Sequence, residues 1–162
     1  MPIDKKQLVA KVRAKIEEEI AQATRIAKDA ADAVTHADNR PENDKDMRST
    51  EASYVARGHA ARVRSLEQAL ATLASMPVKT FGAGDAIQLG ALVEVAPQGA
   101  TKELFFLVVA AGGMRVEIDG REVQTLATQS PLGTALLGLS KGDEAELTTP
   151  KGKRVYEIVA VS

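Results

Sequence analysis

Cysteine is absent from this 162-residue chain, which excludes disulfides, thiolate metal sites and cysteine nucleophiles, and agrees with a reducing cytoplasm. Tryptophan is absent too, and three Phe and two Tyr leave little material for an aromatic ligand pocket. No apolar run approaches the ~18 residues of a membrane span, and the start, Met1-Pro2-Ile3-Asp4-Lys5-Lys6, has no apolar signal region. A net charge of −1 supplies no global basic field for non-specific nucleic-acid binding. No Ser/His/Asp set, phosphate-cradling glycine loop or metal-spaced histidine cluster is visible. The expectation is a soluble, cytoplasmic, monomeric protein without a cofactor of its own and without a membrane partner.

Glycine is scarce only in the first half, where Gly58 stands alone; after Pro77 the chain turns rich in Gly, Val, Leu and Thr. Pro77, Gly82 and Gly84 break any helix between. We therefore divide the chain into a helical hairpin over 1–76, a linker over 77–85 and a second domain over 86–162.

Val9, Val12, Ile16, Ile20, Ala23, Ala27, Ala30 and Val34 recur at spacings of three and four, the stripe of an amphipathic helix. Ala52, Ala56, His59, Val63, Leu66, Leu70 and Leu73 repeat the pattern, with Ser49 or Asp46 as candidate N-cap. Paired in opposite directions, Val34 meets Ala52, Ala30 meets Ala56, Ala27 meets His59, Ala23 meets Val63, Ile20 meets Leu66 and Ile16 meets Leu70. One register over the whole length is the mark of an antiparallel coiled-coil hairpin. Ile and Leu occupy its base and Ala its far end, so the distal hairpin is slender. His59 on this seam reads as a packing residue, and His36 is alone near the turn. Arg13, Arg25, Lys28, Arg57, Arg62 and Arg64 are spread along it, as a solvated flank or as contacts to nucleic-acid phosphates.

The turn between the helices gathers Asp38, Glu42, Asp44 and Asp46, interrupted by Arg40 and Lys45. Carboxylates suit Mg²⁺, which takes only one or two from a protein and keeps water or phosphate elsewhere. Such a tip reads either as a solvated loop or as a donor of carboxylates to Mg²⁺ already held in another protein.

The second domain shows β-prone runs at 91–95, 103–109, 114–118 and 122–125, separated by Pro97-Gln98-Gly99, Gly112-Gly113 and Asp119-Gly120. Gly112-Gly113 reads as a hairpin turn. Ser130-Pro131 opens a short helix to about Leu137, with Ser as N-cap and Pro in its first turn. Runs at 144–148 and 154–161 follow, joined by Pro150-Lys151-Gly152. The fold class is α+β: a long antiparallel helical hairpin, then a curled antiparallel sheet with one short helix.

Gln129-Ser130-Pro131-Leu132-Gly133-Thr134-Ala135-Leu136-Leu137-Gly138, then Lys141-Gly142-Asp143-Glu144, Thr149-Pro150-Lys151-Gly152 and Tyr156-Glu157-Ile158, closely resembles the C-terminal domain of the Gre (GreA/GreB) transcript-cleavage factors, over roughly 86–161. The resemblance implies an FKBP-like fold that docks on the rim of the RNA polymerase secondary channel. It implies that Ser130, Pro131, Leu132, Leu136 and Leu137 face the polymerase. The hairpin would then enter toward the active-site Mg²⁺, near nascent RNA or DNA of the elongation complex. The family's tip motif is Asp-x-x-Glu-Asn-Ala-Glu-Tyr; here Glu42-Asn43 keeps the Glu-Asn pair, Asn39 stands three before Glu42, and Asp44-Lys45-Asp46 follows. Asp38 and Glu42 form the acidic pair if the turn absorbs one residue. Three readings follow: an elongation factor whose tip acids stimulate transcript cleavage, a polymerase-binding regulator or inhibitor without cleavage, and an FKBP-type prolyl isomerase.

Overall fold

The computed structural model describes residues 2–38 and 45–162. Helix α1 spans Lys5–Asp38 and α2 spans Lys45–Ser75. Asp4 starts α1: its carboxylate accepts the Lys6 N–H at 2.9 Å and its carbonyl accepts the Leu8 N–H at 2.9 Å. The expected stripe is the covered face. On α1, Val12 and Ile16 are buried and Ile20, Ala23, Ala27, Ala30 and Val34 are half-buried between exposed neighbours. On α2, Leu66 and Leu73 are buried, with Ala52, Ala56, His59, Val63 and Leu70 half-buried. The two helices pack as a hairpin, and Glu19 meets Arg62 at 3.2 Å on its flank.

Two details differ from the pattern. Leu8, not Val9, is the fully buried residue at the base, so the stripe continues at a spacing of four from Val12. Helix α2 begins at Lys45, which puts Asp46 and Ser49 inside it rather than at its cap. Lys45, Met47 and Arg48 favour helix enough to carry it back past those two side chains.

Compact packing divides the chain into two units, Ile16–Ala71 and Met1–Lys15 with Thr72–Ser162. The second unit holds a six-stranded sheet: β1 Leu92–Pro97, β2 Glu103–Val108, β3 Arg115–Ile118, β4 Arg121–Ala127, β5 Glu144–Thr149 and β6 Gly152–Val161. Helix α3, Pro131–Leu136, follows β4. The strand order is β3-β4-β2-β1-β6-β5. The α+β class stands, yet the sheet is mixed rather than antiparallel, because β2 and β4 pair in parallel, Phe105 beside Gln124 and Leu107 beside Leu126. A parallel pair needs a crossover, and here β3 supplies it by folding back on the outer edge of β4. Gly112-Gly113 is therefore no hairpin turn between paired strands.

The crossover is fixed by Thr125, a fully buried hydroxyl that accepts the Met114 N–H at 2.9 Å and donates to the Ala111 carbonyl at 2.6 Å. Phe105, Leu107, Val93, Val95, Ile158 and Leu126 form one core with Leu136 of α3. Alternation along the strands sends Leu92, Phe106, Val108 and Val123 to the other face, where they are also buried. The base of α1 is bound to the sheet's connections by lysines: Lys11 Nζ donates to the Glu117 carbonyl at 2.6 Å, and Lys5 Nζ to the Lys79 and Gly90 carbonyls at 2.7 and 2.9 Å. Among the described residues no helix is long and apolar enough to cross a membrane.

Three expected outcomes follow from this packing. In a chain without native cysteine, the pair Ala27→Cys/His59→Cys should form a disulfide under mild oxidation, read as a shift on a non-reducing gel. Faster bridging by Ala23→Cys/His59→Cys or Ala27→Cys/Val63→Cys would put the seam a turn out of register. A Cβ at Gly133 would lie 2.1 Å from the Ala127 carbonyl oxygen, so Gly133→Ala should cost about 1–3 kcal/mol in a denaturant titration. Burial lowers the Lys5 ammonium from 10.5 to about 8. Between those values the unfolded chain holds a proton that the folded chain has released, so this group makes folding more favourable as pH rises. The stability difference between wild type and Lys5→Met should shift toward wild type from about pH 7 to about pH 9.5; a flat difference would contradict the lowered value.

Candidate functional site

Two regions carry the candidate residues. At the turn of the hairpin, α1 ends at Asp38 and α2 begins at Lys45, with Asp46 in its first turn. The backbone thus brings Asp38 and Asp46 to the same end of the hairpin. Glu42 and Asp44 lie outside the described residues. Among the described residues no three His, Asp or Glu side chains gather as a metal site.

The second region is α3. Ser130 takes an extended conformation (φ −67°, ψ 158°) and accepts the Gly133 N–H on its hydroxyl oxygen at 3.0 Å, as an N-cap does. The same hydroxyl donates to the Ala127 carbonyl at 2.7 Å. Both hydrogen-bonding roles of Ser130 are spent inside the domain. Leu136 is fully buried in the core and Leu132 packs against it half-buried. Pro131 is exposed, and Leu137, at 39% exposure, turns its side chain outward. Of the five residues implied as polymerase-facing, Pro131 and Leu137 are open to a partner, Leu132 is partly so, and Ser130 and Leu136 build the platform beneath them.

A cleft of about 560 Å³ opens at the β2–β4–β3 end of the sheet, lined by Lys102, Arg115 and Arg121 and by Glu94, Glu103 and Glu122. Its cations are matched by carboxylates: Arg115 meets Glu122 at 3.5 Å, and Glu94 meets Lys102 at 3.8 Å and Arg121 at 3.9 Å. The balanced charge gives no anion site. Its aromatic lining is Phe105, only 5% exposed, so it offers no bowl for a prolyl ring. On the hairpin, Tyr54 is 75% exposed, with Ile26 and Val55 half exposed.

Sequence reading passed over Lys5. Its amine lies 4.5 Å from the centre of the Phe81 ring as well as on two carbonyls. The signal was present in the spacing Lys5-Leu8-Val12, which puts a lysine on the apolar face of the helix. Gly112 and Gly113 do form a turn, though not one that joins paired strands, and Gly112 has a further role there in close approach: a Cβ would lie 2.8 Å from the Ala127 nitrogen.

The family model described as "Transcription elongation factor, GreA/GreB, C-term" matches residues 82–162. Transcription elongation factor GreA of Rickettsia felis is 28% identical over 159 residues, covering 95% of this chain and 92% of that protein. GreA of Francisella tularensis subsp. novicida is 33% identical over 100 residues, 62% of this chain and 59% of that one. Among solved structures, GreA factor homolog 1 of Thermus thermophilus aligns over 93% of this chain and 94% of its own, with a TM-score of 0.37 and 24% identity. With half its length matched by the family model, and relatives alike across nearly the whole chain, this protein belongs to the GreA/GreB transcription elongation factors, a family whose partner is RNA polymerase.

Proposed function

We propose that the hairpin enters the secondary channel of RNA polymerase and modulates elongation through the carboxylates at its tip. The observation that carries this reading is the pairing of two helices of 34 and 31 residues with a reversal that holds Asp38, Glu42, Asp44 and Asp46. At 1.5 Å per residue such helices run about 45–50 Å. A bundle gains nothing from helices that long with an Ala-lined far end, whereas a probe into a narrow channel requires both.

Four carboxylates within nine residues repel one another, and Arg40 and Lys45 offset that field only in part. Alone, the tip is a poor Mg²⁺ ligand. Within polymerase, one or two of the carboxylates of Asp38, Glu42, Asp44 and Asp46 would help hold a second Mg²⁺, whose chemistry there would be to activate water for phosphodiester hydrolysis. Glu42 is the leading residue, since it alone keeps the family's Glu-Asn context. Docking rests on the exposed Pro131 and Leu137, with the half-buried Leu132 beside them. Arg25, Lys28, Arg57 and Arg64 lie along the hairpin where transcript phosphates would pass.

The second reading, regulation without cleavage, is favoured by a specific departure. Asn39 stands where the family motif has Asp, and Asp44-Lys45-Asp46 replaces Ala-Glu-Tyr. The isomerase reading finds no support in a polar, charge-balanced cleft.

A stalled elongation complex separates these readings, with transcript shortening scored as cleavage and slowed extension as inhibition. The variant Asp38→Asn/Glu42→Gln/Asp44→Asn/Asp46→Asn should bind polymerase within about threefold of wild type while losing most of either effect, because it removes charge at nearly constant shape. Leu137→Asp should do the reverse and lose binding. A fourfold variant as active as wild type would leave channel blocking, not the acids, as the source of the effect.

A further inference from the structure

Gly58 is the only glycine before Pro77 and lies inside α2, where glycine is less favourable than any residue but proline. No neighbour within the chain accounts for it. Gly112 and Gly133 each meet Ala127 at close range, but a Cβ at Gly58 would meet nothing within 4 Å. Gly58 also marks the centre of an exposed face of α2, turned away from the seam. Glu51, Tyr54, Val55, Ala61 and Arg62 surround it at helical spacings of three, four and seven residues, and all are exposed.

The middle of this face is apolar. Tyr54 is 75% exposed and Val55 50%. The heptad carries the apolar surface onto α1: Glu19 and Arg62 meet at 3.2 Å, and one heptad nearer the turn the corresponding pair is Ile26 and Val55. Ile26 is 50% exposed. Opposite charges bracket this centre, Glu51 on the side of the turn and Arg62 on the side of the base.

We propose that this face pairs with the same face of a second copy of the chain, the two α2 helices crossing antiparallel at Gly58. A two-fold axis through Gly58 sets against each other the residues equally far before and after it. Tyr54 then lies under the second copy's Arg62, ring against guanidinium, and Val55 meets its Ala61. Glu51 reaches its Ser65 and lies one turn from its Arg62, so opposite charges approach at both ends of the contact. A parallel pairing would instead set Glu51 on Glu51 and Arg62 on Arg62. The missing side chain lets the two backbones come close at the crossing, which supplies the reason for Gly58 that the fold alone does not. Stable interfaces bury about 1,200–2,000 Å², and a few turns of one helix per copy cover less. The chain is therefore monomeric when dilute and pairs reversibly, with a dissociation constant on the order of 100 µM.

Sedimentation equilibrium of the full chain between about 10 µM and about 1 mM tests this pairing. The average mass should rise with concentration from 17.2 kDa toward twice that value. Gly58→Gln should weaken self-association about tenfold or more, because two side chains then fill the crossing. The same substitution should raise the thermal midpoint of a dilute sample by about 1–3 °C, since glutamine favours helix and its Cβ meets open space. In a chain without native cysteine, Gly58→Cys should form a disulfide-linked dimer under mild oxidation about tenfold faster than Arg57→Cys, which is exposed beside it but off the face. A mass fixed at 17.2 kDa throughout, or equal bridging by the two cysteine variants, would overturn the proposal. Self-association that Gly58→Gln leaves unchanged would place the contact elsewhere and refute it. A fixed mass, with thiol labelling of the Gly58→Cys variant slowed only when RNA polymerase is added, would give the face to polymerase and sink the pairing as well.

Discussion

The sheet depends on how closely three segments approach one another at Ala127. A Cβ at Gly112 would lie 2.8 Å from its nitrogen and one at Gly133 would lie 2.1 Å from its carbonyl oxygen. That oxygen also accepts the N–H and the hydroxyl of Ser130, at 3.0 and 2.7 Å. The crossover from β2 to β3 passes on one side of Ala127 and α3 begins on the other. Only residues without a side chain can occupy both approaches, so the parallel β2–β4 pair and the position of α3 are set by one constraint. Thr125, two residues earlier, closes the same crossover by bonding Met114 and Ala111 with a single hydroxyl. A buried hydroxyl left without partners would cost about 1–3 kcal/mol, so its two bonds specify this path over others.

From this constraint follows which strands are central. β1 and β2 lie inside the sheet, and both of their faces are covered, which is why Phe105, Phe106, Leu107 and Val108 run on without a polar break. The edge strands β3 and β5 alternate instead, with Arg115, Glu117, Glu144 and Glu146 outward. In the hairpin, burial declines along the seam, from Leu66 at 3% exposure to half-buried alanines beyond. Apolar stabilisation scales with area, about 25 cal/mol per Å². An Ala seam therefore contributes little per layer, and the far helices hold together through length and helix propensity more than through core.

Strand positions, the Ser130 cap and the helical seam were legible because each is a local pattern: alternation, a capping pair, a spacing of three and four. The parallel pairing was not, because β2 and β4 are separated by a third strand and no local signal tells which edge β3 will take. At Gly112 the turn was legible but its second constraint was not, because that glycine also answers to Ala127, distant in sequence. Leu136 and Ser130 illustrate the limit at the candidate site. A motif gives which residues a partner surface contains, but not which of them are spent beneath it. Lys5 was readable in principle, as a charge on an apolar stripe, since such a residue must find acceptors or lose its proton.

The split between platform and contact bears on how the factor is able to act. Pro131 and Leu137 offer a small apolar contact, held rigid because Ser130 and Leu136 fix the helix from within. Preorganisation of this kind lowers the entropy lost on binding, so on the proposed function a small patch would suffice for docking without a large area. Nothing in that contact requires charge. In sequence the acids fall where two helices of 34 and 31 residues meet, and their mutual repulsion disfavours metal binding. On the proposed function, affinity and chemical effect would fall to different residues, so that a change at one need not alter the other. This chain's tip departs from the family's Asp-x-x-Glu-Asn-Ala-Glu-Tyr at Asn39 and at Asp44-Lys45-Asp46 and keeps Glu42-Asn43, whereas its C-terminal domain keeps the Ser130-Pro131 to Leu137-Gly138 pattern. Under the proposed function, cleavage and regulation without cleavage would be two settings of one architecture, distinguished by how many tip oxygens reach a metal that the polymerase supplies.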